Sequence, residues 1–338
     1  MTEYVNSENL KNVLSFIKDH KTFLVCSHIN PDGDALGTTL GLGLALRELG
    51  KDVTLYNVGP IAYNLHFLPH VDQVLFSIPE DKSFDATIIV DCGSLKRLGS
   101  AFQTFRLSGK AGILICVDHH ASNPGFGGLD LIESHISSSG EVASCIIRGF
   151  RHPFSPAVAT ALFCALMTDT GSFRYDNARS QTFHLAAQLV EAGAKPKEIA
   201  EHLYANRPKH YFYVVKDVLD TLQLHPHLPI AWMHVTRDVL EQYGYEVDVL
   251  EGLIEEIRSL ESCEVAIFYK ENIDRNGYKL STRSKNYIDV AQVCATFGGG
   301  GHKRASGVDM KGSLEHIHAQ ILAEVEKQFA QHRQQQNT

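Results

Sequence analysis

Seven cysteines occur in 338 residues, yet none forms a CxxC pair, and their number is odd. That argues against a disulfide framework. They read instead as reduced small hydrophobes of a cytoplasmic protein. No apolar run is long enough to cross a bilayer. The longest, "AVATALFCALM" at 157–167, has the length of a buried helix, so no membrane partner is expected. The start, "MTEYVNSENLKNV", lacks the basic residues and apolar stretch of a secretory signal. There is no surplus of positive charge either. A formal net charge of −8 argues against a broad basic surface for long duplex nucleic acid, while leaving room for a short anionic ligand held by local cations. Internal repeats and long low-complexity segments are also missing.

What remains is a chain of ordinary globular composition, 44% apolar and 21% charged, long enough for two domains. In the first half, "TFLVCSHI", "DVTLYNV", "DATIIVDCG" and "GILICVDHH" are near-continuous apolar runs between helical patterns. Such runs suit strands buried on both faces of a mostly parallel sheet. Helical patterns continue through "GEVASCIIRGF", "SPAVATALFCALM" and "SQTFHLAAQLVEAG", then through a connector around "RPKHYFYVVKDVLDTLQ". "HPHLP" at 225–229 punctuates the chain, and a strand–helix–strand–strand–helix pattern follows, then a glycine-rich loop and a terminal helix. The fold expected is α/β. A larger N-terminal domain, 1–193, carries the parallel sheet flanked by helices. A helical linker, 194–225, leads to a smaller C-terminal α/β domain, 226–332, with an active-site cleft between the two.

Three strand-like runs end in potential metal ligands: His28 with Asp32 and Asp34, then Asp91, then Asp118, His119 and His120. Asp169, in "MTDTGSFR", follows the apolar helix directly. For one cluster alone, turn and capping chemistry suffices, since Asn30, Asp32 and Asp34 favour turns and helix starts. Four clusters point further, because ligands bind outside the carboxyl ends of strands in open α/β sheets. Asp and His without Cys favour Mn²⁺, Mg²⁺ or a similar cation over structural zinc, and two such cations would offset the repulsion among crowded carboxylates. In the second half, "FGGGGHKRASG" offers glycine N–H groups that can cradle an anion, beside His302, Lys303 and Arg304. "STRSKN" adds Arg283 and Ser284.

In order, "HINPDGDALG", "VDCG", "VDHH" and "TDTGSFR" resemble the four motifs of the DHH phosphoesterase superfamily. "GGGGHKRASG" at 298–307 resembles the signature of its DHH-associated C-terminal domain. The type most similar is the stand-alone oligoribonuclease and pAp phosphatase, the NrnA-like proteins. The resemblance implies one divalent cation on His28, Asp32 and Asp91, and a second on Asp34, Asp91, His119 and Asp169, with Asp91 shared. Mn²⁺ is the first expectation and Mg²⁺ the second. Attack by a hydroxide made between the two ions would follow, with His120 acting on the phosphate or the leaving oxygen and Asp118 orienting a histidine. Arg283, Ser284, Gly299, Gly300, Gly301 and His302 would hold the substrate's terminal phosphate or nucleotide.

The function implied is metal-dependent hydrolysis of very short RNA to mononucleotides, together with dephosphorylation of 3′-phosphoadenosine 5′-phosphate (pAp). Expected partners are short RNA, dinucleotides and pAp, and a homodimer stays open. A cyclic-dinucleotide phosphodiesterase, or a nucleotide-binding module without catalysis, is the alternative.

Overall fold

All four apolar runs of the first half form strands. The structure is a computed structural model that describes residues 5–244, 250 and 252–336. It divides into two units, Met1–Asn206 and Arg207–Thr338. The first unit holds helix α1 (Ser7–Asp19), strand β1 (Thr22–Cys26), α2 (Gly33–Glu48), β2 (Asp52–Tyr56), β3 (Ala86–Val90), α3 (Gly99–Leu107), β4 (Ile113–Asp118), β5 (Leu129–Ile132), α4 (Ser139–Gly149), α5 (Pro156–Asp169), α6 (Ser180–Glu191) and α7 (Pro196–Ala200).

Its five strands are all parallel and run in the order β2-β1-β3-β4-β5. Alternate side chains of a strand face opposite sides. Phe23 and Val25 of β1 join the core made with α2, α4 and α5, while Leu24 and Cys26 face Phe102 of α3. Burial on both faces explains the unbroken apolar runs. The exception in the sequence reading is β5, whose "LDLI" is too short and too polar to announce itself.

The row of small residues in α2 is explained by α5. Gly33 to Leu46 are buried throughout, and a Cβ on Gly37 would lie 2.5 Å from the Ala161 carbonyl oxygen. A Cβ on Gly33 would meet the Thr168 side chain at 2.3 Å. The two helices therefore pack backbone to backbone and run antiparallel, so that the C-terminal end of α5 meets the N-terminal end of α2.

The second unit holds α8 (Tyr211–Leu219), β6 (Gln223–Leu224), β7 (Ile230–Val235), α9 (Arg237–Gln242), α10 (Leu253–Arg258), β8 (Val265–Glu271), β9 (Gly277–Ser284), α11 (Val290–Ala295), β10 (Gly300–His302), β11 (Ala305–Lys311) and α12 (Leu314–Gln336). Its mixed sheet has the order β10-β11-β9-β8-β7-β6, with β7 and β8 parallel. Val265, Ile267 and Tyr269 of β8 face a core containing α11 and α12, and Ala266 and Phe268 face one containing α8 and α10. The segment expected as a linker is shared out. Ile199 and Leu203 belong to the first unit's core and Val214 and Val218 to a core of the second. The expected glycine-rich loop is partly a strand, because Gly300–His302 pairs antiparallel with β11.

Candidate active site

Adjacent parallel strands β1, β3 and β4 end on one rim, where the strand order reverses between β1 and β3. That reversal opens a crevice at the carboxyl ends of the strands. Each strand delivers a candidate ligand just past its end: His28, Asp91 and His119. Asp91 does so from a left-handed backbone (φ +49°), a costly conformation for a side chain, held here by its N–H donating to the Val117 carbonyl at 3.1 Å. Asp32 caps α2 by accepting from the Ala35 N–H at 3.0 Å, and Asp34 stands in the first turn. Asp169 is the last residue of α5, carried to the rim by the close α2–α5 packing.

The histidines are aimed by their second ring nitrogen. His28 Nδ1 donates to the Ile29 carbonyl at 2.8 Å and His119 Nδ1 to the Ile136 carbonyl at 3.3 Å, which directs both Nε2 atoms inward. His119 Nε2 lies 3.6 Å from Asp34 Oδ2, 3.6 Å from Asp91 Oδ1 and 3.5 Å from Asp169 Oδ2. His28 Nε2 lies 3.6 Å from Asp91 Oδ2 and 3.8 Å from Asp32 Oδ2. These separations exceed hydrogen-bond length. They are a little longer than the roughly 2.8–3.4 Å expected between two donors that share a cation about 2.0–2.1 Å from each. The structure thus brings the predicted ligands together as two groups, His28–Asp32–Asp91 and Asp34–Asp91–His119 with Asp169, that share Asp91. An all Asp and His donor set so spaced fits a pair of divalent cations.

Protons balance the charge within this set. Burial would lower the His28 pKa, but the close carboxylates of Asp32 and Asp91 favour its charged form, outweigh burial and push the value up to about 10. His120 is likewise depressed by burial and raised, mainly by Asp118 and Asp91, to about 9. Burial favours a neutral Asp91, yet His28, His120 and His119 hold its carboxyl well below the usual range. Burial, with Asp91, Asp169 and Asp32 adding to it, raises Asp34 well above that range. Burial also lifts Asp169 to about 6.

Asp118 is fully buried and points back from the rim. Its Oδ1 accepts from His120 Nδ1 and from the His119 N–H, both at 2.8 Å, and its Oδ2 accepts from Asn123 Nδ2 at 2.6 Å. It therefore orients His120. Sequence reading missed Asn123, as it missed the turn that opens α4. Asp34 Oδ2 accepts from the Ser139 N–H at 2.8 Å, and its Oδ1 from the Gly140 N–H and the Thr38 hydroxyl, both at 3.0 Å. Asn177 Nδ2 donates to the carbonyls of Ser137 and Asp169, tying that turn to the end of α5. A signal existed. "SSSGE" at 137–141 has the Ser-x-x-Glu spacing of a capped helix start, and Ser138 does cap α4.

The predicted substrate residues lie in the second unit. Arg283 is partly exposed. Its Nε donates to Glu255 at 2.9 Å and its Nη1 to the Thr282 carbonyl at 3.0 Å. Ser284 is fully buried, its hydroxyl donating to the Ile288 carbonyl at 2.7 Å, so it braces the following turn. The N–H groups of Asn286, Tyr287 and Ile288 converge on Glu264 Oε1 at 2.8–3.1 Å, a backbone anion nest that the chain's own carboxylate fills. A Cβ on Gly299 would meet the Gly307 carbonyl oxygen at 2.3 Å, and one on Gly301 (φ +144°) the Ala305 carbonyl oxygen at 2.6 Å, whereas Gly300 has open space beside it. Two of the three glycines are thus required by the hairpin itself. His302 ends β10, half-buried opposite Ala305. Arg304 donates to the carbonyls of Ile288 and Asn286.

The chain belongs to the DHH family of phosphoesterases. Residues 22–166 match the model of the DHH family N-terminal domain, and residues 232–331 match the DHHA1 domain. Among curated proteins it is 30% identical, over 90% of its own length and 89% of the relative's, to the bifunctional oligoribonuclease and PAP phosphatase NrnA of Thermus thermophilus. An exopolyphosphatase-related protein of Bacteroides fragilis has the same fold, with a TM-score of 0.87 at 22% identity, covering 97% of this chain and 98% of that one. RecJ of Thermus thermophilus, solved in complex with Mn²⁺, is similar with a TM-score of 0.56 at 16% identity, over 97% of this chain and 55% of RecJ. Among the described residues no helix is long and apolar enough to cross a membrane.

Proposed function

We propose that the chain hydrolyses very short oligoribonucleotides to mononucleotides and removes a phosphate from pAp, using divalent cations, with Mn²⁺ favoured over Mg²⁺. The observation that carries the reading is the rim itself, where four separate segments converge on one largely buried set of imidazole and carboxylate donors, with Asp32 at its exposed edge, that share Asp91. The names of the curated relatives supply the substrates. His28, Asp32 and Asp91 would hold one cation, and Asp34, Asp91, His119 and Asp169 the other. When bound, such ions lower the pKa of water and neutralise charge on the phosphate.

The chain's own residues do the remainder. The Ile29 and Ile136 carbonyls keep Nε2 of His28 and His119 turned to the rim. Asp118 holds His120 Nδ1–H and sustains its positive charge, which suits His120 to protonate the departing oxygen. Arg283, with Gly300 and His302, is assigned to the substrate's terminal phosphate, and Ser284, Gly299 and Gly301 to supporting that region. A negatively charged chain suits short substrates better than long duplexes. The seven cysteines are buried and unpaired, which supports a reducing, cytoplasmic setting.

Initial rates on pApA, pAp, cyclic di-AMP and a longer RNA, with Mn²⁺ and with Mg²⁺, test the reading. Fastest turnover of pApA, with pAp also cleaved, is expected. A preference for cyclic di-AMP would overturn the substrate assignment, and full activity in chelator would overturn the metal assignment.

A further inference from the structure

Ser139 opens α4, is fully buried, and touches two of the candidate ligand carboxylates at once. Its hydroxyl donates to Asp91 Oδ1 at 3.0 Å while its N–H donates to Asp34 Oδ2 at 2.8 Å. A serine hydroxyl has one proton to give, and this one goes to the carboxylate common to both ligand groups. The same Asp91 oxygen lies 3.6 Å from His119 Nε2 and 3.6 Å from His120 Nδ1, beyond hydrogen-bond length.

We propose that Ser139 is a positioning residue for the ligand pair Asp34 and Asp91, an inference that rests on the metal reading above. Two buried carboxylates facing each other repel, and rotation of either about its terminal bond would relieve the repulsion and spoil the donor arrangement. Backbone N–H groups of Ser139 and Gly140 lock Asp34 whatever side chain stands at 139. The hydroxyl then references Asp91 to that locked group, so that one residue sets the angle between the two carboxylates before any ion arrives. α4 can stand this close because Gly140 has no Cβ, which would lie 2.6 Å from that of Ala165. Carboxylate orientation by an outer hydrogen bond is worth about 10–100-fold in metal affinity.

The test compares Ser139→Ala with Ser144→Ala in the full chain. Ser144 is an equally buried serine of the same helix whose hydroxyl donates to the Glu141 carbonyl at 2.7 Å. Calorimetric titration with Mn²⁺ and melting curves in chelator are the readouts. Ser139→Ala should bind Mn²⁺ about 10–100-fold more weakly, melt no lower than Ser144→Ala, and regain turnover as free Mn²⁺ is raised. Ser144→Ala should bind Mn²⁺ like the wild type. Unchanged affinity in Ser139→Ala, or equal losses in both variants, would overturn the role of Ser139 alone. A wild-type chain that binds neither Mn²⁺ nor Mg²⁺ would overturn the metal reading and this role with it. Should Ser139→Ala not fold, Ser139→Cys keeps the size and weakens the donor, and wild-type affinity there refutes the proposal.

Discussion

Asp91 and His120 stand 3.6 Å apart, yet their replacement should fail in different ways. Asp91→Ala removes the carboxylate shared by both groups, so Mn²⁺ content should fall at both sites and turnover drop below detection while the chain stays folded. Metal analysis with a melting curve checks this, and full activity would refute the shared-ligand assignment. His120→Ala should keep its metal and lose about 10²–10⁴-fold in rate, the usual worth of a positioned acid. Collapse of its metal content would show that His120 is a ligand instead. Titration gives a further prediction. His28 and His120 have folded pKa values of about 10 and about 9, above the ordinary 6.5. Each stabilises the metal-free fold fully below about pH 6.5 and loses that contribution as pH rises through its folded value. The melting temperature in chelator should therefore fall by several degrees between pH 6.5 and 9. Saturating Mn²⁺ should flatten the part of the slope that belongs to His28 by displacing its proton, and a flat profile in chelator would contradict the charge balance described.

α2 and α5 show how much of the site is built by packing. Gly37→Val would drive methyl groups into the Ala161 carbonyl, where nothing flexible can give way. A loss of about 1–3 kcal/mol is expected from overpacking, and with α5 displaced from α2, Asp169 should leave its place and Mn²⁺ affinity should fall. Gly43→Ala, facing the flexible end of Leu55, is the control that should spare metal binding. Thermal melts and Mn²⁺ titration on both variants decide it. The contrast also marks what was legible in the sequence. β1 to β4 announced themselves because apolar runs buried on two faces leave a continuous trace, and their polar ends named His28, Asp91 and His119. Gly37 read only as a small residue, since its reason lies on another helix. The Asn123 and Asn177 contacts were invisible for the same cause. Ser284 was misleading, because a serine looks alike in sequence whether its hydroxyl meets a ligand or the Ile288 carbonyl.

On the scale of the whole chain, the six residues assigned to the two cations lie in the first unit and Arg283 in the second. Arg283→Ala should leave Mn²⁺ binding intact. Loss of a charge-assisted hydrogen bond to the terminal phosphate costs about 1.5–3 kcal/mol, roughly 10- to 150-fold in kcat/KM on pApA. Because Nε already serves Glu255, the lower part of that range is expected. The loss should be smaller on bis-p-nitrophenyl phosphate, which lacks the anchored group, and equal losses on both substrates would refute a phosphate-anchoring role. Asp34 carries a last consequence. Its partners at the head of α4 stand 105 and 106 residues further along. A ribosome releases the "HINPDGDALG" segment long before it makes them, and Asp169 emerges later still. The nascent chain therefore carries its first ligands as an open, uncommitted set, and completion of the Asp34–Asp91–His119–Asp169 group must wait until α5 has left the exit tunnel. Assembly of that donor group is thus a late event in this protein's synthesis.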